Sequence, residues 1–218
     1  MKPCLDPPTC QMLYKKLSKI LASKPKEEKV QQFFEQHPHL LPGLADYHNG
    51  PYAKIVITKF PLGIDFITDF AFISQNSQMI QLTLVELESP SKKLFRKDGR
   101  PSRDYIDARQ QLTDWLHRVQ QDKKKSVELF APMLRRLPLR DYHISARAYL
   151  ICGRRIDFKE PKAHERWSAE SSLASLGLIT MTYDRILESL KRAYWPLHER
   201  ILVCSYSDRS FLVEHVTP

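Results

Sequence analysis

Apolar residues recur at helical spacing over residues 9–23, with Met12, Leu13, Leu17, Ile20 and Leu21 on one side. Lys24-Pro-Lys26 breaks that pattern, and a second short helix follows with Val30, Phe33 and Phe34 on its apolar side. Pro38 ends it, because proline disfavours helix in the residue before it. Leu40-Leu-Pro-Gly43 then reads as a turn. Strand-rich segments follow at residues 54–59, 69–73 and 79–87, the last stopped by Ser89-Pro90. Ser102 can cap a long helix with Asp104 in its first turn, and its stripe is Tyr105, Ala108, Leu112, Trp115, Leu116 and Val119. That helix is expected to end near Lys123-Lys-Lys125. A strand at 144–152 closes at Gly153-Arg-Arg155. A helix at 164–176, a short strand at 179–182, a helix at 183–194 and an edge strand at 202–206 complete the pattern. Antiparallel strands first and helical crossovers later predict an α/β fold with a mixed central sheet and helices on both sides. Residues 1–50 read as a helical cap or interaction element, and residues 51–218 as the main domain.

Against that pattern, three acids stand out. Asp69 sits in Thr68-Asp-Phe-Ala-Phe-Ile73, and Glu86 and Glu88 sit in Leu84-Val-Glu-Leu-Glu-Ser-Pro90, with the polar turn Ser74-Gln-Asn-Ser-Gln78 between them. Acids are depleted in strands. Side chains alternate along a strand, so Glu86 and Glu88 share a face, and hairpin pairing brings Asp69 to it. Carboxylates that close repel unless a cation neutralises them, and hard oxygen ligands suit Mg²⁺ or Mn²⁺. Asp65, four residues before Asp69, is a competing acid that shares its strand face if the strand extends that far. Gln111 lies at the margin of the helix stripe, where it can point toward the sheet, and Gln110 points the opposite way.

Charge sharpens the picture. The chain carries a net +9, and residues 92–155 hold 17 of its 34 Lys and Arg against 7 of its 25 acids. The excess positive charge therefore follows the acidic triplet directly. A cationic surface beside a metal-binding acid cluster suits a polyanionic substrate; the plain alternative is a solvated basic face. The four cysteines, Cys4, Cys10, Cys152 and Cys204, have no zinc spacing and read as free thiols in a reducing compartment. His37 and His39 have too few partners for a metal site. Six scattered glycines form no phosphate loop. No apolar run is membrane-length. A soluble cytoplasmic protein without a membrane partner is expected.

The order of strand Asp, hairpin, strand Glu and Gln-bearing helix resembles the PD-(D/E)XK nuclease core, and more specifically the Shedu-type domain of antiphage defence proteins. The resemblance rests on six segments together: Val30-Gln-Gln-Phe-Phe-Glu-Gln-His-Pro-His-Leu-Leu41, Asp69-Phe-Ala-Phe72, Leu84-Val-Glu-Leu-Glu-Ser-Pro90, Ala108-Arg-Gln-Gln-Leu-Thr-Asp-Trp115, Tyr149-Leu-Ile-Cys-Gly-Arg154 and Thr182-Tyr-Asp-Arg-Ile-Leu187. It implies a restriction-endonuclease-like core with a helical extension and a divalent-metal-dependent DNA endonuclease or nickase working as a homo-oligomer. Asp69 and Glu86 would be metal ligands. Glu88 stands where the superfamily usually has Lys, although some restriction enzymes carry Glu there; it would be a third ligand or a base. Lys92 or Lys93 could swing back to supply the missing cation. Lys93, Arg96, Lys97, Arg100 and Arg103 would hold DNA phosphates. The rival reading is a catalytically inactive DNA-binding relative or a protein-interaction module.

Overall fold

The computed structural model of the chain describes residues 6–44, 51–62, 66–75, 79–128, 130, 143–158, 161–170, 177–192, 201–207 and 210–216. Two helices lead, α1 (Pro7–Ala22) and α2 (Glu27–Gln36). Three strands follow, β1 (Ile55–Pro61), β2 (Ile67–Gln75) and β3 (Met79–Leu87). Then come α3 (Arg103–Gln121), α4 (Lys123–Glu128), β4 (His143–Ile151), α5 (Pro161–Glu170), β5 (Leu178–Met181), α6 (Tyr183–Lys191), β6 (Leu202–Ser207) and β7 (Ser210–Val216).

The strands form one seven-stranded sheet in the order β5-β4-β3-β2-β1-β6-β7. The β1–β2, β2–β3 and β6–β7 pairs are antiparallel, while β3–β4, β4–β5 and β1–β6 are parallel. The expected mixed α/β architecture is therefore what the chain adopts. Alternation on the strands feeds two cores. Ala71, Ile73, Leu82 and Leu84 face one core, closed by Leu112 and Trp115 of α3. Phe70, Phe72, Val85 and Leu87 face the other, closed by Leu13 and Leu17 of α1, Phe33 and Phe34 of α2, and Ile186 and Leu190 of α6.

Local chemistry sets the boundaries. The Asp6 carboxylate accepts the Thr9 N–H at 2.9 Å, so α1 begins at Pro7, before the apolar stripe does. The Ser102 hydroxyl accepts the Tyr105 N–H at 3.2 Å, as the sequence predicts for the start of α3. The lysine cluster does not end α3. Asp122 does: its carboxylate accepts the Lys125 N–H at 3.1 Å and starts the short helix α4. Residues 202–206, expected at an edge, are interior instead, with β1 on one side and β7 on the other. Arg154, leaving β4, grips Asp184 at the start of α6 through three hydrogen bonds of 2.9–3.1 Å. This pair joins two of the segments that carried the resemblance.

Cys10, Cys152 and Cys204 are buried and form no disulfide among the described residues. Asp65, Cys4, turn residues 76–78, and residues 171–176 and 193–194 of the expected helices lie outside the described residues. Among the described residues, no helix is long and apolar enough to cross a membrane.

Phe34 is fully buried between α2 and the sheet, and its ring lies 6.5 Å from that of Tyr183. Phe34→Ala should cost about 3–5 kcal/mol in urea denaturation. A loss under about 1 kcal/mol would mean that the N-terminal helices contribute little to the main core.

Candidate active site

The register decides which charges meet. In the β2–β3 ladder Phe70 pairs with Val85, so the next position sets Asp69 opposite Glu86. In the β1–β2 ladder Thr58 pairs with Phe70 and Phe60 with Thr68, which sets Lys59 opposite Asp69. Lys59, Asp69 and Glu86 thus form one row across three strands. Cβ atoms of directly opposed residues lie about 5 Å apart, and like charges placed so are destabilising.

Asp69 is 3% exposed. Its Oδ1 takes the Lys59 ammonium at 2.5 Å, and its Oδ2 accepts the Leu87 backbone N–H at 2.8 Å. Lys59 holds a left-handed backbone, φ 49°. This kink coincides with a change of phase along β1, where Ile57 and Phe60 face the same core. Burial draws the Lys59 ammonium down, but the Asp69 bond and the charges of Asp69, Glu86 and Glu27 outweigh it, and its pKa is raised.

Glu86 is the stressed member. Its Oε1 accepts a hydrogen bond from Gln111 Nε2 at 3.3 Å, and its Oε2 is buried with no hydrogen-bond partner among the described residues. Burial first, and then the Asp69 charge, pushes its pKa from 4.5 up to about 9. Gln110 turns outward to Asp114 at 2.8 Å, so the two glutamines divide as their helical spacing predicts.

Glu88 lies one residue past β3, where its N–H donates to Ile151 C=O at 2.9 Å and its C=O accepts from the Tyr183 hydroxyl at 2.8 Å. Lys92 Nζ meets Glu88 Oε2 at 2.5 Å, so this lysine does reach back toward the acids. Lys93 lines a small crevice with Glu88, Lys92 and Asp104. Arg96, Lys97, Arg100 and Arg103 are exposed on the loop and first helical turn that follow. Arg96 Nε donates to Pro101 C=O at 3.3 Å, and Arg100 and Arg103 lie near Asp98 and Asp107 at 3.7 and 3.6 Å.

Two participants carry no clear sequence signal. Lys59 is a charged residue in an apolar strand, a hint comparable to Asp69 that the motif pattern does not include. Glu27, the first residue of α2, reads in sequence as a favourable first-turn acid. Burial, then the Asp69 and Glu88 charges, raises its pKa, so it belongs to the same electrostatic cluster. The Ser89 hydroxyl reaches Pro25 C=O at 3.4 Å and ties this corner to the α2 entry.

Among the described residues, no group of three or more His, Cys, Asp or Glu side chains is arranged to hold a metal. The described geometry is narrower than the expected trio: Asp69 and Glu86 are opposed across the ladder, while Glu88 is paired with Lys92.

The family model described as Shedu protein SduA, C-terminal, matches residues 24–187. The chain belongs to this Shedu family. No curated protein matches it. Membership agrees with the antiphage-defence setting that the resemblance implied. The Shedu-matched span includes Glu27, Lys59, Asp69, Glu86, Glu88 and Gln111, so every member of the cluster lies inside it. α1, which packs with α2 and α6 on the opposite core, lies before it.

The raised pKa of Glu86 has a definite sign in stability. Between its unfolded value of 4.5 and its folded value of about 9, the folded chain holds the extra proton. Stability from this group is therefore full below about pH 4.5 and is lost as pH rises toward 9, by up to about 1.4 kcal/mol per pH unit. Glu86→Gln should remove that slope, so denaturation midpoints of wild type and variant should diverge from pH 5 to pH 8, the variant becoming relatively more stable. Parallel profiles would contradict the assignment.

Proposed function

We propose that the chain is a divalent-metal-dependent nuclease with a PD-(D/E)XK-type site, hydrolysing DNA phosphodiester bonds in antiphage defence. The observation that carries this reading is the buried Oε2 of Glu86, without a hydrogen-bond partner among the described residues, on the residue opposite Asp69. A buried carboxyl oxygen without a partner is costly, and a hard cation is the partner that two opposed carboxylates fit. Mg²⁺ is commonly held by one or two carboxylates together with substrate phosphate, so a third acid is not required. Asp69 and Glu86 would hold the ion, with Glu27 and Glu88 adding negative field around it. When bound, the ion supplies a more acidic water and stabilises charge on the phosphoryl oxygens.

The chain's own groups cover the remaining tasks. Lys59, already on Asp69, takes the charge-stabilising role that the Glu88 departure leaves open. Lys92 neutralises Glu88. Gln111 fixes the Glu86 carboxyl by its Oε1. Arg96, Lys97, Arg100 and Arg103 extend from the same end of β3 and would hold phosphates without reading bases. DNA is the proposed partner, and a homo-oligomer the proposed assembly.

One observation favours a second reading. Asp69 and Glu88 are each already neutralised by a lysine, which is how a catalytically silent DNA-binding relative would stabilise its acids. Plasmid and linear DNA incubated with Mg²⁺, Mn²⁺ or chelator separate the two. The nuclease reading predicts metal-dependent cleavage that falls at least about a hundredfold in Glu86→Ala and in Lys59→Ala, while DNA affinity persists. Metal-independent cleavage, or none with wild type, would exclude it.

A further inference from the structure

A second concave site lies at the same carboxyl end of the parallel strands as Glu86, on the far side of β4. The ends of β3, β4 and β5 are aligned: Glu88 N–H donates to Ile151 C=O, and Cys152 N–H donates to Met181 C=O. Beyond β5, a cavity of about 450 Å³ opens between α5 and α6. Adjacent strands are about 4.8 Å apart, so it sits roughly 10 Å along the sheet from the Glu86 end of β3. Crevices outside the carboxyl ends of parallel strands are where α/β sheets bind ligands.

The lining has a specific chemistry. Arg155, Arg185 and Arg192 face it, against the single carboxylate of Glu188. Glu188 is engaged with Arg155 at 2.5 Å. Arg185 and Arg192 are exposed, and their guanidiniums have no ion-pair partner among the described residues. Arg155 is held in place from the backbone side, since its N–H donates to Asp184 Oδ2 at 2.6 Å beside the Arg154 grip. Trp167 supplies a flat apolar wall, its ring braced by Phe158 at 5.3 Å. The Thr180 hydroxyl adds a neutral polar group. Two uncommitted guanidiniums, an aromatic wall and this volume match a phosphate joined to a planar base better than a bare anion, which would leave the indole unused.

We infer that this cavity binds a nucleotide, with its phosphate on Arg185 and Arg192 and its base against Trp167. The nucleotide is either free or one residue of a strand running toward Glu86. The strand form rests on the nuclease reading above; the free form does not.

Binding is measured by calorimetry in chelator, so that cleavage plays no part, with thymidine 5′-monophosphate and with a short oligothymidylate as probes. The double variant Arg185→Ala/Arg192→Ala should weaken binding at least about tenfold. Lys191→Ala, on the same helix but outside the cavity lining, should change it little. Trp167 fluorescence should be quenched by either probe in wild type. Binding of the mononucleotide identifies a free-nucleotide site, and binding of the oligomer alone identifies a strand residue. Both support the inference when the double variant weakens them. Binding of neither probe, or equal weakening by the double variant and Lys191→Ala, overturns it. Because chelator removes catalysis, a protein that binds here but never cleaves DNA sinks the nuclease proposal alone.

Discussion

The buried Asp69 and the half-buried Glu86 oppose each other across the β2–β3 ladder, and the surrounding structure is organised around that repulsion. The antiparallel register places Asp69 and Glu86 on one rung and leaves little freedom to separate them. Asp69 is bound by an ammonium and by a backbone N–H. Glu86 has one side-chain amide and an oxygen without a hydrogen-bond partner among the described residues, and it yields by holding its proton. The proposed cation would complete a pair in which one acid is fully paired and the other only partly.

The supports come from distant parts of the chain. α2 contributes Glu27, β1 contributes Lys59, α3 contributes Gln111, and the β3–α3 loop contributes Lys92. Each is positioned by packing. Leu112 and Trp115 seat α3 on the sheet so that Gln111 points down, and Tyr183 on α6 holds the Glu88 carbonyl from the opposite core. Gly153 turns the chain at the end of β4 with φ 56°, where an added Cβ would lie 2.8 Å from Leu94; this close approach sets the loop carrying Lys92 against the sheet. Glu88 is thus not left as bare negative charge.

Much of this is legible in the amino-acid order, and the reasons are local. The bounds of β3 follow from an unbroken strand-forming run stopped by Ser89-Pro90, and the α3 start from the Ser102 hydroxyl. The different fates of Gln110 and Gln111 follow from helical geometry alone. What escapes the sequence is non-local or out of pattern. Glu27 is some forty residues from Asp69 in sequence, and its approach depends on how α2 lies on the sheet. Lys59 adopts a left-handed backbone, which β-propensity gives no reason to expect. The interior place of β6 depends on β7, whose partner cannot be read from either segment alone. Asp122 ends one helix and begins another because its carboxylate competes for a backbone N–H, a local choice that the neighbouring lysines mask.

Direct titration of the protein with Mn²⁺ in the absence of DNA, followed by the loss of the free-ion paramagnetic signal, tests the central claim most closely. The opposed acids predict saturable binding that disappears in Asp69→Asn and in Glu86→Gln and survives in Glu35→Gln, a change away from the cluster. Equal binding by all four proteins, or none by the wild type, would contradict the account.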